Sequence, residues 1–143
     1  MISFFVHGIP VPKGSAKAFV NKHTGRAQVM QDNREKQRPW ASAITLTAME
    51  LGVKGTLAPV RVTLDFSMPR LKSHFGTGKN RHVVKPNAPD FHVSKPDLDK
   101  LIRCVLDALT GVAWHDDSQV VEVIASKYYR DQPGVFITLE PLE

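Results

Sequence analysis

Short apolar runs and alternating segments of the chain predict its strands. ISFFV (residues 2–6) is an apolar run that ends before the Pro and Gly of VPKGS, which is typical of a short buried strand. AFVNKHTGRAQVM (18–30) places a polar tip with Gly25 between two apolar-bearing runs, which predicts a hairpin because glycine tolerates positive φ. The clearest strand is APVRVTLDFSM (58–68), whose apolar and polar residues alternate with the period of a half-buried strand. Its apolar set is Val60, Val62, Leu64 and Phe66.

Two segments show the spacing of amphipathic helices. The first covers residues 33–51 and is predicted to end at Gly52. Because Pro39 interrupts it, we expect the helix to begin near Pro39 and the charged residues before it to form a separate turn. The second segment, DLDKLIRCVLDALTG (97–111), is expected to end at Gly111. The apolar series are Trp40, Ile44, Thr47 or Ala48, and Leu51 in the first, and Leu98, Leu101, Ile102, Val105, Leu106 and Leu109 in the second.

Two further strands, 118–129 and 134–140, follow the second helix. This order of elements predicts an α+β fold, a small mixed β-sheet with two main helices, in a single domain over residues 1–143. The connection 69–96 fits no packed element and carries six Lys or Arg but one acidic residue. We expect a mobile basic loop there, because structureless connections of this length are uncommon unless functional or disordered. Its histidines, expected to be exposed and not to bind zinc, are His74, His82 and His92.

Charge and composition narrow the class of partner. The chain has 19 Lys and Arg against 14 Asp and Glu, and this net charge of +5 favours a polyanion such as nucleic acid. Its one cysteine, Cys104, excludes an internal disulfide and fits a reducing, cytoplasmic setting. We expect no membrane partner, since no apolar run approaches the roughly 20 residues that a span requires and the start lacks a signal-peptide pattern.

Carboxylates flank the second helix on both sides. Asp97 and Asp99 stand at its start, and Asp116 and Asp117 lie in the turn WHDDSQ after it. Within a helix, Asp97 and Asp99 would point about 200° apart, so they could share a cation only if Asp97 precedes the helix. Adjacent Asp116 and Asp117 point in different directions, so at most one is expected to join them. Three carboxylates gathered in this way predict a Mg²⁺ site, because a hard divalent cation prefers oxygen ligands and relieves their repulsion.

The same residues have an ordinary structural interpretation, which their spacing does not exclude. Asp97 would cap the helix, Asp99 would face the positive end of its dipole, and HDDSQ would be a polar turn. Asp99, Arg103 and Asp107 form a polar ridge on the helix, on which Asp107 is expected to form a surface pair with Arg103.

A longer run adds a resemblance to a known family. KPDLDKLIRCVLDALTGVAWHDDSQVVEV resembles the RusA family of Holliday-junction resolvases of phages and prophages, whose pattern is D-x-D, an amphipathic helix with D-A-L, then W-x-D-D-x-Q-V. GIPVPKGS and VRVTLDFSMP agree more loosely with the family's opening strands. The resemblance implies a homodimeric endonuclease of the bacterial cytoplasm that depends on Mg²⁺, with Mn²⁺ as an alternative, and cuts two opposed strands of a four-way DNA junction. By position, Asp97, Asp99 and Asp117 would be its catalytic, metal-binding carboxylates.

The chain departs from the family pattern at two positions of the helix. Lys100 stands where the family often has Asn, and Arg103 stands where it has a catalytic lysine. Arg103 keeps the charge but cannot donate a proton, because its pKa is above about 12, so we expect it to bind phosphate or the transition state. A catalytically silent protein that binds DNA junctions is the alternative function, and a basic domain whose carboxylates only cap helices is a third. The expected DNA-binding residues are Arg70, Lys72, Lys79, Arg81, Lys85, Lys95 and Lys100.

Overall fold

The computed structural model describes residues 1–14, 16–31 and 34–143, with side chains for all of these except 16–19, 28–31 and 34. A four-stranded mixed sheet has the order β1-β6-β4-β5, and β2 and β3 form a separate hairpin. The predicted α+β class, with a mixed sheet and two helices in one domain, is confirmed. The elements are β1 (Ile2–His7), β2 (Ala16–Val20), β3 (Ala27–Gln31), α1 (Arg34–Glu50), β4 (Val60–Met68), α2 (Leu98–Leu109), β5 (Val120–Tyr129) and β6 (Gly134–Pro141).

Strand β4 lies at the centre of the sheet, as its strict alternation suggests. It pairs antiparallel with β6 on one side and parallel with β5 on the other. Its predicted apolar residues are at most 2% exposed and share one core with apolar side chains of α1 and α2. Each of these burials stabilises the fold by about 1.5–3 kcal/mol, so the pattern that identifies β4 also explains its position.

Helix α1 begins before Pro39. It starts at Arg34 and continues through Pro39, so the expected start near Pro39 and the separate turn before it are wrong. The additional turn packs against the rest of the chain, since Gln37 is 8% exposed and Trp40 4% exposed. A proline this close to the helix start removes one backbone hydrogen bond, and the burial of the Trp40 side chain offsets that loss.

The other helix predictions are confirmed with one exception. Gly52 follows α1 with φ 73°, and α2 buries Leu101, Val105 and Leu109. Leu51, expected on the buried stripe of α1, is 53% exposed because the helix has already ended. Neither helix, in the part of the chain that the structure describes, has the length and apolar character needed to cross a membrane.

The basic segment 69–96 is held against the end of β5. The rings of His74 and His92 lie edge-on to Tyr129, with centroids 4.6 and 4.9 Å from its ring. Both histidines are 8% exposed, so the expectation of exposed side chains is wrong for these two and right for His82. The segment also contains two short 3₁₀ helices, Lys72–His74 and Gly78–Asn80. Its mobility stays a prediction.

Candidate functional site

Asp97 and Asp99 lie at the N-terminal end of α2. Asp97 precedes the helix with an extended backbone, φ −69° and ψ 143°, and Asp99 is in the first turn. The Asp97 carbonyl accepts the N–H of Leu101 at 3.1 Å, but its carboxylate makes no capping hydrogen bond. Both carboxylates belong to exposed residues. Asp97 therefore precedes the helix, as it must if it is to share a cation with Asp99. Its side chain does not cap the helix, so the capping interpretation of Asp97 is wrong.

Lys127 of β5 supports this end of the helix. Its Nζ donates to the carbonyl oxygens of Ser94 and Pro96, each at 2.8 Å, and so fixes the chain just before Asp97. Partial burial lowers the pKa of Lys127, and the nearby charge of Asp97 opposes that shift. Lys127 could not be identified from the sequence, because nothing in the alternating pattern of β5 indicates which residue reaches the start of α2.

A cleft of about 390 Å³ opens beside Asp97. The early segment IPVP (9–12) forms its apolar wall, and the N–H of Lys13 donates to the Lys100 carbonyl at 2.9 Å, which connects that segment to α2. Three lysines and one carboxylate are among its lining residues, so the cleft carries a net positive charge. Its lining residues are Ile9, Pro10, Val11, Pro12, Lys36, Lys95, Pro96, Asp97 and Lys100.

The turn before β5 gives its two aspartates different roles. The Asp116 carboxylate accepts the Ser118 N–H at 2.9 Å and caps the short 3₁₀ helix Asp117–Gln119. Hydrogen bonds from the Ser118 backbone, then from its hydroxyl, lower the pKa of Asp116. Asp117 is exposed and is not the capping residue. The Asp117 side chain also hydrogen-bonds that of Asp116, so the two carboxylates of this turn are in contact.

Gln119 connects the same turn by hydrogen bonds to the segment just before β4. Its Oε1 accepts the N–H groups of His115 and Asp116 at 2.8 and 2.9 Å. Its Nε2 donates to the carbonyls of Thr56 and Ala58 at 2.8 and 3.0 Å. One side chain thus makes four hydrogen bonds, which hold the aspartate turn beside the start of the sheet.

Asp117 is distant from Asp97 and Asp99 within one chain. It lies three residues before β5 begins, whereas Lys127, near the other end of β5, contacts Pro96 just before α2. Helix α2 covers this interval, and its 12 residues span about 18 Å. Accordingly, no group of three or more His, Cys, Asp or Glu side chains within the described ranges could hold a metal ion. One chain brings Asp97 and Asp99 to the same helix end and leaves Asp117 at the opposite end.

The polar ridge of α2 is exposed as expected, but the ion-pair partner of Asp107 differs from the predicted one. Asp99, Arg103 and Asp107 are all exposed. Asp107 pairs with Lys13 at 2.7 Å and not with Arg103. Lys13 reaches the ridge because its backbone is already bonded to α2, a long-range contact that helical spacing could not reveal. Arg103 therefore lies exposed on the same ridge as Asp99.

The expected DNA-binding cations differ in their surroundings. Arg70 is 10% exposed, donates to the Pro89 carbonyl at 2.7 Å, approaches Asp90 at 3.5 Å and lies over the Tyr129 ring. These contacts favour a structural role for Arg70 within the basic segment. Lys100 is half-buried at the cleft. The exposed members of the set are Lys72, Lys79, Arg81, Lys85 and Lys95.

Exposed carboxylates at a lysine-lined cleft, in a basic α+β domain, are features of a metal-dependent enzyme that acts on a polyanion. The family model described as endodeoxyribonuclease RusA matches residues 9–140, nearly the whole chain. The chain therefore belongs to the RusA family of metal-dependent Holliday-junction endodeoxyribonucleases. It is also similar to the uncharacterized protein YqaN of Bacillus subtilis (strain 168), with 26% identity over 144 residues that cover 96% of this chain and 94% of that protein.

Proposed function

We propose that this chain is a Mg²⁺-dependent resolvase that cuts four-way DNA junctions by paired, symmetric nicks. The observation that carries the proposal is the exposed pair Asp97 and Asp99 beside the lysine-lined cleft, in a chain of this family. A basic DNA-binding protein is penalised by exposed carboxylates near phosphate unless a cation neutralises them. Their position is therefore best explained by a cation that binds together with the substrate.

The residues of the site have separable roles in this proposal. Asp97 and Asp99 would hold Mg²⁺, with Asp117 proposed as the third carboxylate, and the ion would polarise the scissile phosphate; Mn²⁺ would bind the same oxygen ligands. Arg103 binds phosphate, because an arginine at neutral pH is a permanent cation with a planar donor array. Lys36 and Lys95 attract the DNA backbone to the cleft. Lys127 keeps the Asp97 backbone in place through its two carbonyl contacts.

Asparagine substitutions at the three aspartates test the metal role. Asp97→Asn, Asp99→Asn and Asp117→Asn each keep side-chain size and remove one negative charge. Without Mg²⁺, junction binding should stay the same or tighten, and with Mg²⁺ cleavage should fall by orders of magnitude. Asp107→Asn is the matched control, since it removes an exposed carboxylate from the same helix but disturbs only the Lys13 pair. Wild-type cleavage by all three variants would refute the assignment.

The exposed cations of the basic segment are proposed to contact phosphate and not bases. Alanine at Lys72, Lys79, Arg81 and Lys85 should weaken junction binding and reduce its log-log salt slope by roughly one unit per lost contact. Arg70→Ala should differ, because this arginine is bonded within the segment: it should lower the melting temperature without a matching change of slope. Unchanged affinity and slope in the fourfold variant would place DNA elsewhere on the protein.

A further inference from the structure

The hairpin of β2 and β3 stands apart from the main sheet. Its strands, Ala16–Val20 and Ala27–Gln31, pair with each other, whereas the other four strands form one sheet. A two-stranded hairpin by itself is marginally stable in water, because it has little surface on which to bury side chains. This element is therefore suited to gain stability from a binding partner.

Both ends of this hairpin lie close to the cleft beside Asp97. Strand β2 begins four residues after Pro12, and Lys36 follows the end of β3 by five residues. Pro12 and Lys36 both line that cleft. The N–H of Lys13, bonded to the Lys100 carbonyl at 2.9 Å, fixes the first of the two connections to α2. The hairpin therefore begins and ends at the rim of the candidate active site.

The charges of this part of the chain have one sign. Residues 1–31 contain four Lys or Arg and no Asp or Glu, although the whole chain has 14 acidic residues. Three of these cations, Lys17, Lys22 and Arg26, belong to the hairpin. Opposite charges across a strand pair stabilise it, whereas like charges do not, so this composition does not serve the stability of the hairpin itself. An anionic partner explains it.

The tip of the hairpin has a defined conformation. The Asn21 Oδ1 accepts the N–H of His23 at 2.9 Å, and the Asn21 carbonyl accepts the N–H of Gly25 at 2.7 Å, with Gly25 at φ 67°. These hydrogen bonds do not involve the side chains of Lys22 and Arg26, and both residues are exposed. The turn therefore presents two cations on a backbone that is already ordered, which reduces the entropy lost on binding.

From these observations we infer that the β2–β3 hairpin enters the major groove of a duplex arm of the DNA and that its tip cations contact the phosphates of that groove. A two-stranded β-ribbon fits this groove, which is about 12 Å wide and about 8.5 Å deep. The five residues of β2 span about 17 Å, so the tip reaches across the groove while the strand ends stay at the cleft. The inference rests on the proposed function and deepens it, because it identifies the element that holds an arm of the substrate.

Substitution of the two tip cations tests the phosphate contacts. In anisotropy titrations of a labelled four-way junction without Mg²⁺, the double variant Lys22→Ala/Arg26→Ala should bind more weakly than wild type. Its log-log salt slope should fall by roughly two units, one for each lost contact. The matched control, Lys22→Arg/Arg26→Lys, keeps both charges and should keep the wild-type slope. An unchanged slope in the alanine variant would overturn the inference and leave an acidic protein as the partner that this charge fits.

A shortened hairpin tests the position in the groove. Phe19 and Gln28 are paired, so Asn-Gly in place of residues 20–27 closes a two-residue turn in the same register. Dimethyl sulfate methylates guanine N7 atoms, which lie in the major groove. Saturating wild-type protein should protect the N7 atoms of a junction arm, and the shortened variant at saturation should leave them reactive. Equal protection by both proteins, or none by the wild type, would show that the hairpin does not occupy this groove.

The outcomes separate this inference from the proposed function. Both measurements are made without Mg²⁺ and need no cleavage, so wild-type protein that binds junctions but never nicks them would refute only the proposed function. The shortened variant keeps Asp97 and Asp99, so with saturating protein and Mg²⁺ its nicking rate should match that of the wild type, although its affinity is lower. Loss of nicking at saturation with unchanged affinity would overturn the inference, because the hairpin would then act in the chemical step and not in holding the DNA.

Discussion

Gln119 is the residue whose removal should affect both stability and catalysis at the aspartate turn. Its side chain makes four hydrogen bonds, two to N–H groups of the turn and two to carbonyls ahead of β4. Alanine removes all four, and a typical hydrogen bond contributes about 0.5–1.5 kcal/mol net. The donors at His115 and Asp116 are exposed and regain water, so we expect a loss of about 2 kcal/mol and not the full sum.

The Gln119→Glu substitution separates the contribution of the two accepted hydrogen bonds from that of the two donated ones. A carboxylate still accepts from His115 and Asp116 but cannot donate to the carbonyls of Thr56 and Ala58, so this variant should lose stability at neutral pH as well. Cleavage should fall in both variants, because the turn that contains Asp117 loses its hydrogen bonds to the Thr56 and Ala58 carbonyls. Junction binding without Mg²⁺ should not change, since neither variant removes a cation.

Urea unfolding at one fixed protein concentration measures the stability term, and nicking of a labelled junction measures the catalytic one. Gln132→Ala is the matched control, because this glutamine is exposed in the turn between β5 and β6. A Gln119→Ala variant within about 0.5 kcal/mol of wild type, the usual range of neutral surface changes, would refute the reasoning.

Three further predictions concern other parts of the structure. Lys127→Met should reduce cleavage by about tenfold or more, as for other residues that orient metal ligands, while junction affinity in the absence of Mg²⁺ changes little. Burial, and then the charge of Lys127, lowers the pKa of His92, so the unfolded chain takes up a proton first. Urea midpoints should therefore decrease as the pH falls below about 6.5, and His92→Phe should flatten that decrease. Gly134→Ala should destabilise the fold by about 3 kcal/mol in urea unfolding, because a Cβ there would overlap the Val6 carbonyl and the Phe5 ring.

Local periodicity predicted most of the fold, because each correct element is determined by its own residues. Strand β4 and helix α2 have patterns that admit one buried face, and the structure buries those faces. The predicted start of α1 was wrong because it considered only the hydrogen bond that a proline removes. The burial of Trp40, which favours the longer helix, depends on the whole fold. The burial of His74 and His92 could not be predicted either, since both rings pack against Tyr129, which lies more than 30 residues beyond either in the sequence.

The sequence indicated which residues belong to the candidate site better than it indicated how they are arranged in space. An Asp97 that precedes the helix was the condition for sharing a cation with Asp99, and the structure meets that condition. The same sequence also contains the reason why Asp117 lies elsewhere: a straight helix between Asp99 and the turn carries the chain away by 1.5 Å per residue. Roles for Lys127 and Lys36 required the tertiary structure, because their neighbours at the site come from other elements.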